Sequence, residues 1–232
     1  MSLPYQVFQK KAAKHPQIVG QHMKVSYSQY AEDFIIGEEI LKGTLPNVGL
    51  YVDIGAFHPI EYSNTMLLTL LGWKGVNIDA NPESIQLFEA MRPDDINVLS
   101  GVSHIAETLT YYIFPNQGMN TFSTDLVKKR QKEGIHPLET LTVPCRSIND
   151  ILEEVLSEDQ QIDYMNIDLE GFDTLVVEGL NWTRYQPTLV SLEAHHQNIE
   201  DHLRSVCHQR MVKEQYALIA FWGLSVMYLR KS

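Results

Sequence analysis

"YVDIGAFHPIEYSNT", residues 51–65, is the stretch on which the fold turns. An apolar run containing β-branched residues ends on Asp53 and Gly55, as a strand buried on both faces ends where the chain turns into a helix. A dinucleotide site would continue as G-x-G-x-x-G, whose glycines let the backbone approach a pyrophosphate. Here Gly55 stands alone, followed by Phe57, His58 and Pro59. The turn reads as a Rossmann-like strand end built for something other than a phosphate.

Downstream, Ser63 is placed to cap a helix over "MLLTLLG", which ends at Gly72, and "GVNIDA" is a second buried strand. Asn81 as N-cap and Pro82 at the first helical position open the next helix. "INVLSGVS" and "TLTYYIF" read as a third strand and an antiparallel neighbour, followed by the irregular segment 115–139, a candidate lid or substrate insertion. "TLTVPC", "IDYMNID" and "TLVSLEA" are further strands. Helices are expected over "SINDILEEVL", over "GFDTLVVEGL" and over 199–211. "YALIAFWGLSVMYLR" closes the chain as two strands around Gly223. Upstream, helical spacing of Tyr30, Phe34 and Leu41, with a Ser26/Gln29 capping-box pattern, predicts a helix over 28–42 behind an N-terminal arm. The expectation is an α/β fold: a mostly parallel seven-stranded sheet with an antiparallel C-terminal hairpin and helices on both faces. That is the layout of class I S-adenosylmethionine-dependent methyltransferases.

The chain has 232 residues and is read as a single domain, 1–232, with arm and helix in 1–43. A formal charge of −11 with no cationic block longer than Lys128-Lys129-Arg130 excludes a nucleic-acid backbone as main partner. Cys145 and Cys207 form no metal or disulfide spacing, and no stretch approaches the roughly 18 apolar residues of a membrane span. A cytoplasmic protein is expected, and the apolar closing strands leave a homo-oligomer open.

Ligands on such sheets bind beyond the carboxyl ends of the strands. Asp53, Gly55 and Ala56, then Asp79 and Ala80, then Gly101, Val102 and Ser103, and finally Asp168, Glu170 and Glu193 are therefore expected to converge. So many anions would repel a pyrophosphate, whereas the sulfonium and amino groups of S-adenosylmethionine are cationic. Asp79, 26 residues after Asp53, stands where a carboxylate accepts both ribose hydroxyls. Ser63, Asn64 and Thr65 open a helix toward the same cleft.

The blocks "YSQYAEDFIIGEEI", "YVDIGAFHPIEYSNT", "GWKGVNIDANPESIQLF" with "RPDD" after it, "TVPCRSINDIL", and "NIDLEGFDTLVVEGL" followed by "SLEAHH" resemble, in this order, the FkbM-type methyltransferases. The resemblance runs over about residues 27–195. It implies S-adenosylmethionine as methyl donor and O-methylation of a hydroxyl, often on a sugar or polyketide-like product. Many members carry Gly-Ala-Asn at the first turn, where this chain continues with Phe57-His58-Pro59. The leader motif maps onto Ser28, Gln29, Glu32 and Asp33, with Gln29 or Glu32 toward the methionine end of the cofactor.

Methyl transfer to a hydroxyl needs in-line placement and a group to take the proton. Two mechanisms stand open. In one, Glu170 or His195 is the general base beside Asp168; in the other, Asp168 and Glu193 hold Mg²⁺, which acidifies the hydroxyl. His58, Glu193 and His196 are candidates for acceptor contact, with a small molecule or glycan as the acceptor. Two other classes compete: a catalytically inactive S-adenosylmethionine-binding partner subunit, and a nucleotide-sugar or NAD enzyme on the same sheet.

Overall fold

The structure is a computed structural model describing residues 25–195 and 198–231. The arm before residue 25 and His196 lie outside the described residues. The main sheet has seven strands: β1 (Leu50–Ile54), β2 (Lys74–Asp79), β3 (Ile96–Leu99), β7 (Tyr164–Ile167), β8 (Leu189–Glu193), β9 (Tyr216–Trp222) and β10 (Ser225–Arg230). Their spatial order is β3-β2-β1-β7-β8-β10-β9, with β10 alone running antiparallel to its neighbours. This is the expected α/β, class I methyltransferase sheet, and its order reverses between β1 and β7, where a ligand crevice opens.

Side-chain alternation divides the two faces. Val52, Ile54, Met165, Ile167, Val190 and Leu192 pack with α5 (Ile148–Val155), α6 (Asp173–Gly179) and α8 (Val206–Lys213) in one apolar core. Tyr51, Tyr164 and Leu189 point the other way, to Ile36 of α1 (Glu32–Leu41) and Leu68 of α2 (Met66–Leu70). Asp53, Asn166 and Ser191 continue that second alternation and form a buried polar seam. Asn166 Nδ2 donates to Asp53 Oδ1 (2.9 Å), and Ser191 Oγ to Asn166 Oδ1 (2.5 Å).

The cap expected at Asn81 is present, accepting from the Glu83 N–H at the start of α3 (Pro82–Met91), and Ser147, the first residue of "SINDILEEVL", accepts from Asp150. Several boundaries differ from expectation. The first helix starts at Glu32, behind Ala31 at φ 67°, because Ser28 forms a bridge to Tyr62 and its hydroxyl accepts from the Asp33 N–H. The Asp33 carboxylate in turn receives Ser26 Oγ (2.6 Å) and the Tyr27 N–H (2.8 Å), so the partner of Ser26 is Asp33 rather than the expected Gln29. The helix expected over 199–211 is two, α7 (Ile199–Leu203) and α8, separated where Ser205 caps the second.

The larger correction concerns "INVLSGVS". It breaks at Ser100 into β3 and β4 (Gly101–Ser103), and β4 leaves the main sheet to join β5 (Glu107–Ile113) and β6 (Glu139–Ser147) in the order β4-β6-β5. The antiparallel partner of "TLTYYIF" is thus β6, from Glu107↔Cys145 to Ile113↔Glu139. Between β5 and β6 the insertion is built rather than irregular. It folds back through the Tyr112↔Thr121 bridge, makes a 3₁₀ turn at Gln117–Met119, and continues as α4 (Thr124–Lys132), capped by Ser123. Within the closing strands, on which a homo-oligomer was left open, Tyr228 is fully buried.

Candidate active site

A cavity of about 320 Å³ opens beyond the carboxyl ends of β1, β2, β7 and β8, within the size range of small-molecule sites. One wall is the first turn. A Cβ at Gly55, at φ 80°, would run into the Asp168 carbonyl oxygen, so the bare backbone here serves the close approach of two strand ends. Asp53 is buried, its oxygens receiving Thr65 Oγ1 (2.8 Å) and Asn166 Nδ2. Burial raises its pKa against those two hydrogen bonds and the charge of Arg92.

Asp79 lies at the next strand end with Ala80, Tyr111 and Phe122 beside it in the wall. Its Oδ2 accepts from the Phe57 N–H (2.8 Å) and its Oδ1 from the Asn81 N–H (2.7 Å). Burial nevertheless pushes it up to about 6, because two backbone donors only partly replace water.

The acidic end combines Asp168, Glu170, Glu193 and His195 in one wall, with Asp173 behind them. His195 Nε2 is 3.0 Å from Glu193 Oε2 and 4.0 Å from Glu170 Oε2. Glu170, at φ 47°, is held by Arg130 of α4 at 2.5 Å, and its carbonyl accepts from Thr121 Oγ1 (2.7 Å). Burial and then the neighbouring carboxylates push Glu193 up to about 9, and Asp168, buried against Glu193, is raised well above its usual range. These two carboxyl groups titrate as a pair and retain a proton at neutral pH. Among the described residues, oxygen and nitrogen ligand atoms lie within 4.8 Å of one another in two sets, Asp168/Asp173/Glu193 and Glu170/Glu193/His195. Both Asp173 oxygens already accept backbone N–H groups, from Leu169 and Gly171.

Not every expected residue reaches the cavity. Gln29, Asp53, Gly55, Ala56, Ser63, Asn64, Asp79, Ala80, Asp168, Glu170, Glu193 and His195 line it. Glu32 does not: its carboxylate is spent on the Tyr30 N–H (2.9 Å) and Ser225 Oγ (2.5 Å). Thr65 lies behind the wall, bonded to Asp53. Gly101, Val102 and Ser103 went with β4 into the small sheet, where Gly101 faces Cys145 and Ser103 Oγ donates to Glu107 (2.5 Å). His58 turns onto its own loop, Nδ1 accepting from the N–H groups of Ile60 (3.1 Å) and Glu61 (2.9 Å). The run Lys128-Lys129-Arg130 is split by the helix: Lys128 pairs with exposed Asp125, and only Arg130 turns inward.

The insertion read as a candidate lid or substrate segment, two aromatics of the 51–65 stretch, and Asn166, which sequence reasoning left unassigned, complete the site. Asn116 to Phe122, from the fold-back of the insertion, line the cavity opposite the strand ends. Phe57 and Tyr62 stack at its mouth with ring centroids 6.4 Å apart. Asn166 ties the floor together.

The sequence profile of the methyltransferase FkbM domain matches residues 53–213, a span containing every strand end just described except the closing hairpin. The chain belongs to that family. It is therefore an S-adenosylmethionine-dependent methyltransferase by family, which decides against the nicotinamide or sugar-nucleotide reading. No curated protein sequence matches this FkbM-family chain significantly. Among solved structures it is similar to an O-methyltransferase from Bacillus cereus in complex with SAH, at 9% identity over 97% of this chain and 100% of that one, TM-score 0.41. A methyltransferase from Pyrococcus furiosus gives 12%, 97%, 98% and 0.38. Precorrin-6y C5,15-methyltransferase from Geobacter metallireducens gives 11%, 83%, 88% and 0.38. Among the described residues no helix is long and apolar enough to cross a membrane.

Proposed function

We propose that this FkbM-family protein transfers a methyl group to a hydroxyl of a sugar, glycan or related small metabolite, with His195 as general base. The carrying observation is the 3.0 Å approach of His195 Nε2 to Glu193 Oε2 in the same cavity as the Asp53–Ala56 turn and Asp79.

The donor set suits the cofactor. A wall of carboxylates whose first turn carries a single glycine favours a cationic ligand without phosphate. Asp79 would take the ribose hydroxyls on the lone pairs its two backbone donors leave, with Ala80, Tyr111 and Phe122 around the base. Asp53, Gly55, Ala56, Ser63, Asn64 and Gln29 would surround the amino-acid end. Bound there, S-adenosylmethionine supplies an electrophilic methyl group on sulfur.

At the acceptor end, Glu193 lies beside the imidazole, and the Glu170 carboxylate, 4.0 Å from Nε2, stabilises the charge the ring gains on taking a proton. Glu170 is the poorer base because Arg130 already binds its carboxylate. The protonated Asp168–Glu193 pair offers an O–H donor, and Asn116, Gln117 and Asn120 offer amides, a lining that matches a polyhydroxylated acceptor. The exposed Tyr62 ring beside Phe57 supplies a face on which a sugar packs. Retention of this acid–imidazole arrangement speaks against an inactive partner subunit. Cys145 and Cys207 are both free, in keeping with a cytoplasmic setting.

A second reading is favoured by the 4.8 Å clustering of Asp168, Asp173 and Glu193: these hard oxygens would hold Mg²⁺, which would then acidify the hydroxyl. Methyl transfer from labelled S-adenosylmethionine to a panel of sugars, with EDTA or Mg²⁺ and with His195→Ala, separates the two. Activity that survives EDTA and falls in His195→Ala supports the base. Activity abolished by EDTA and restored by Mg²⁺ supports the metal, and no transfer to any hydroxyl acceptor refutes the O-methylation reading.

A further inference from the structure

The RPDD stretch, residues 92–95, follows α3 and takes no part in the chemistry above, yet Arg92 is only 4% exposed. Its guanidinium is a five-donor fork. Nη1 donates to Thr65 Oγ1 (2.9 Å) and Tyr51 OH (3.2 Å); Nη2 donates to Ser63 Oγ (3.0 Å) and the Pro59 carbonyl. The group also lies 5.1 Å from the centre of the Phe88 ring. Three of these four oxygens belong to one segment, Pro59 to Thr65, which forms the cavity mouth. The fourth, Tyr51 OH, is anchored by Asp95 Oδ2 at 2.5 Å.

That segment needs holding. Phe57 and Tyr62, on either side of Pro59, both adopt φ 56°, a left-handed conformation that is strained for a residue with a side chain. Both line the cavity, as do Ser63 and Asn64 beyond them. The strain is sustained by a few fixed points: the Phe57 N–H on Asp79, the Ser28↔Tyr62 bridge, the His58 cap, and the Arg92 fork. Among them Arg92 alone bonds both the middle of the segment, at Pro59, and its end, at Ser63 and Thr65. Through Thr65 Oγ1, which donates to Asp53, it joins the mouth to the floor.

We infer that Arg92 is a positioning residue for cofactor binding: without touching the ligand, it holds residues 57–65 in the strained shape that completes the cavity. This rests on the cofactor reading above. Loosening the fork releases Phe57 and Tyr62 to ordinary backbone conformations, and the binding-competent shape becomes a minority population whose fraction divides the affinity.

The test pairs Arg92→Met with Arg92→Lys, which keeps the charge but reaches fewer of the four oxygens. Amide hydrogen exchange on the ligand-free proteins is measured beside S-adenosylhomocysteine binding by calorimetry. The inference expects amides of 57–65 to exchange at least tenfold faster in Arg92→Met while those of β7 and β8 keep wild-type rates. It also expects Kd to rise at least tenfold in Arg92→Met and less in Arg92→Lys. Unchanged exchange in 57–65, faster exchange across the whole sheet, or an unchanged Kd with the segment loosened would each overturn it. If Arg92→Met does not fold, Arg92→Lys alone is held to the same local pattern, with a Kd rise of at least threefold. Should the wild type bind no S-adenosylhomocysteine, the cofactor reading fails, and the exchange pattern still upholds or rejects the holding of the segment by Arg92.

Discussion

His195 Nε2 stands 3.0 Å from Glu193 Oε2, and Glu193 is the last residue of β8, so the strand end brings the imidazole into the cavity wall. A positioned base of this kind contributes about 10²- to 10⁴-fold to rate. His195→Ala is expected to lower kcat by that range and to leave S-adenosylhomocysteine affinity within about threefold, as measured by labelled-methyl transfer and calorimetry. Loss of affinity with unchanged kcat would assign the imidazole to binding instead.

In the proposed binding mode, Asp79 takes the ribose hydroxyls. Asp79→Ala is expected to weaken S-adenosylhomocysteine at least tenfold, roughly 1.4 kcal/mol. Because Asp79 also receives the Phe57 and Asn81 N–H groups, the melting temperature should be measured alongside. Wild-type affinity in a folded Asp79→Ala protein would remove this residue from the site.

The acid pair makes stability depend on pH. Glu193 is pushed from 4.5 up to about 9, so the folded state holds a proton that the unfolded state has released. Stability from this group is complete below pH 4.5 and is lost as pH rises toward 9. In EDTA, the wild-type melting temperature should fall across that window. Glu193→Gln, which replaces the protonated carboxyl with an amide, should flatten the fall and melt higher than wild type at pH 8. Parallel curves for the two proteins would show that the pair does not hold the proton.

Gly55 combines φ 80° with an Asp168 carbonyl oxygen that stands where a Cβ would be. Gly55→Ala must shift one of two adjacent strand ends, at a cost of about 1–3 kcal/mol. Urea denaturation is the measurement. A change under about 0.5 kcal/mol would mean that the β1 and β7 ends part easily.

The alternation of strands and helices, the carboxylates closing β1, β2 and β8 or following β7, and the caps at Asn81 and Ser147 were all legible in sequence. Each is a local matter of periodicity or of one side chain reaching an N–H two or three residues on. The candidate site was legible where a residue ends or directly follows a strand of the main sheet, and at Gln29, Ser63 and Asn64. Gly101, Val102 and Ser103 were misplaced because one apolar run feeds two sheets, and a run does not record which neighbour it pairs with. His58 and Glu32 read as ligand contacts but spend their polar atoms on backbone N–H groups and a serine hydroxyl.

The sequence by itself determined that a Rossmann-like sheet would gather carboxylates at one edge, since strand periodicity and terminal residues are properties of short segments. Only the tertiary structure decided what each charge does. Arg130 closes on Glu170 across 40 residues, and Arg92 is buried beneath the mouth while Lys128 stays in water. A charged side chain has one formula whether solvated or buried, and its partner is chosen by the packing of distant elements, where desolvation makes a single hydrogen bond decisive.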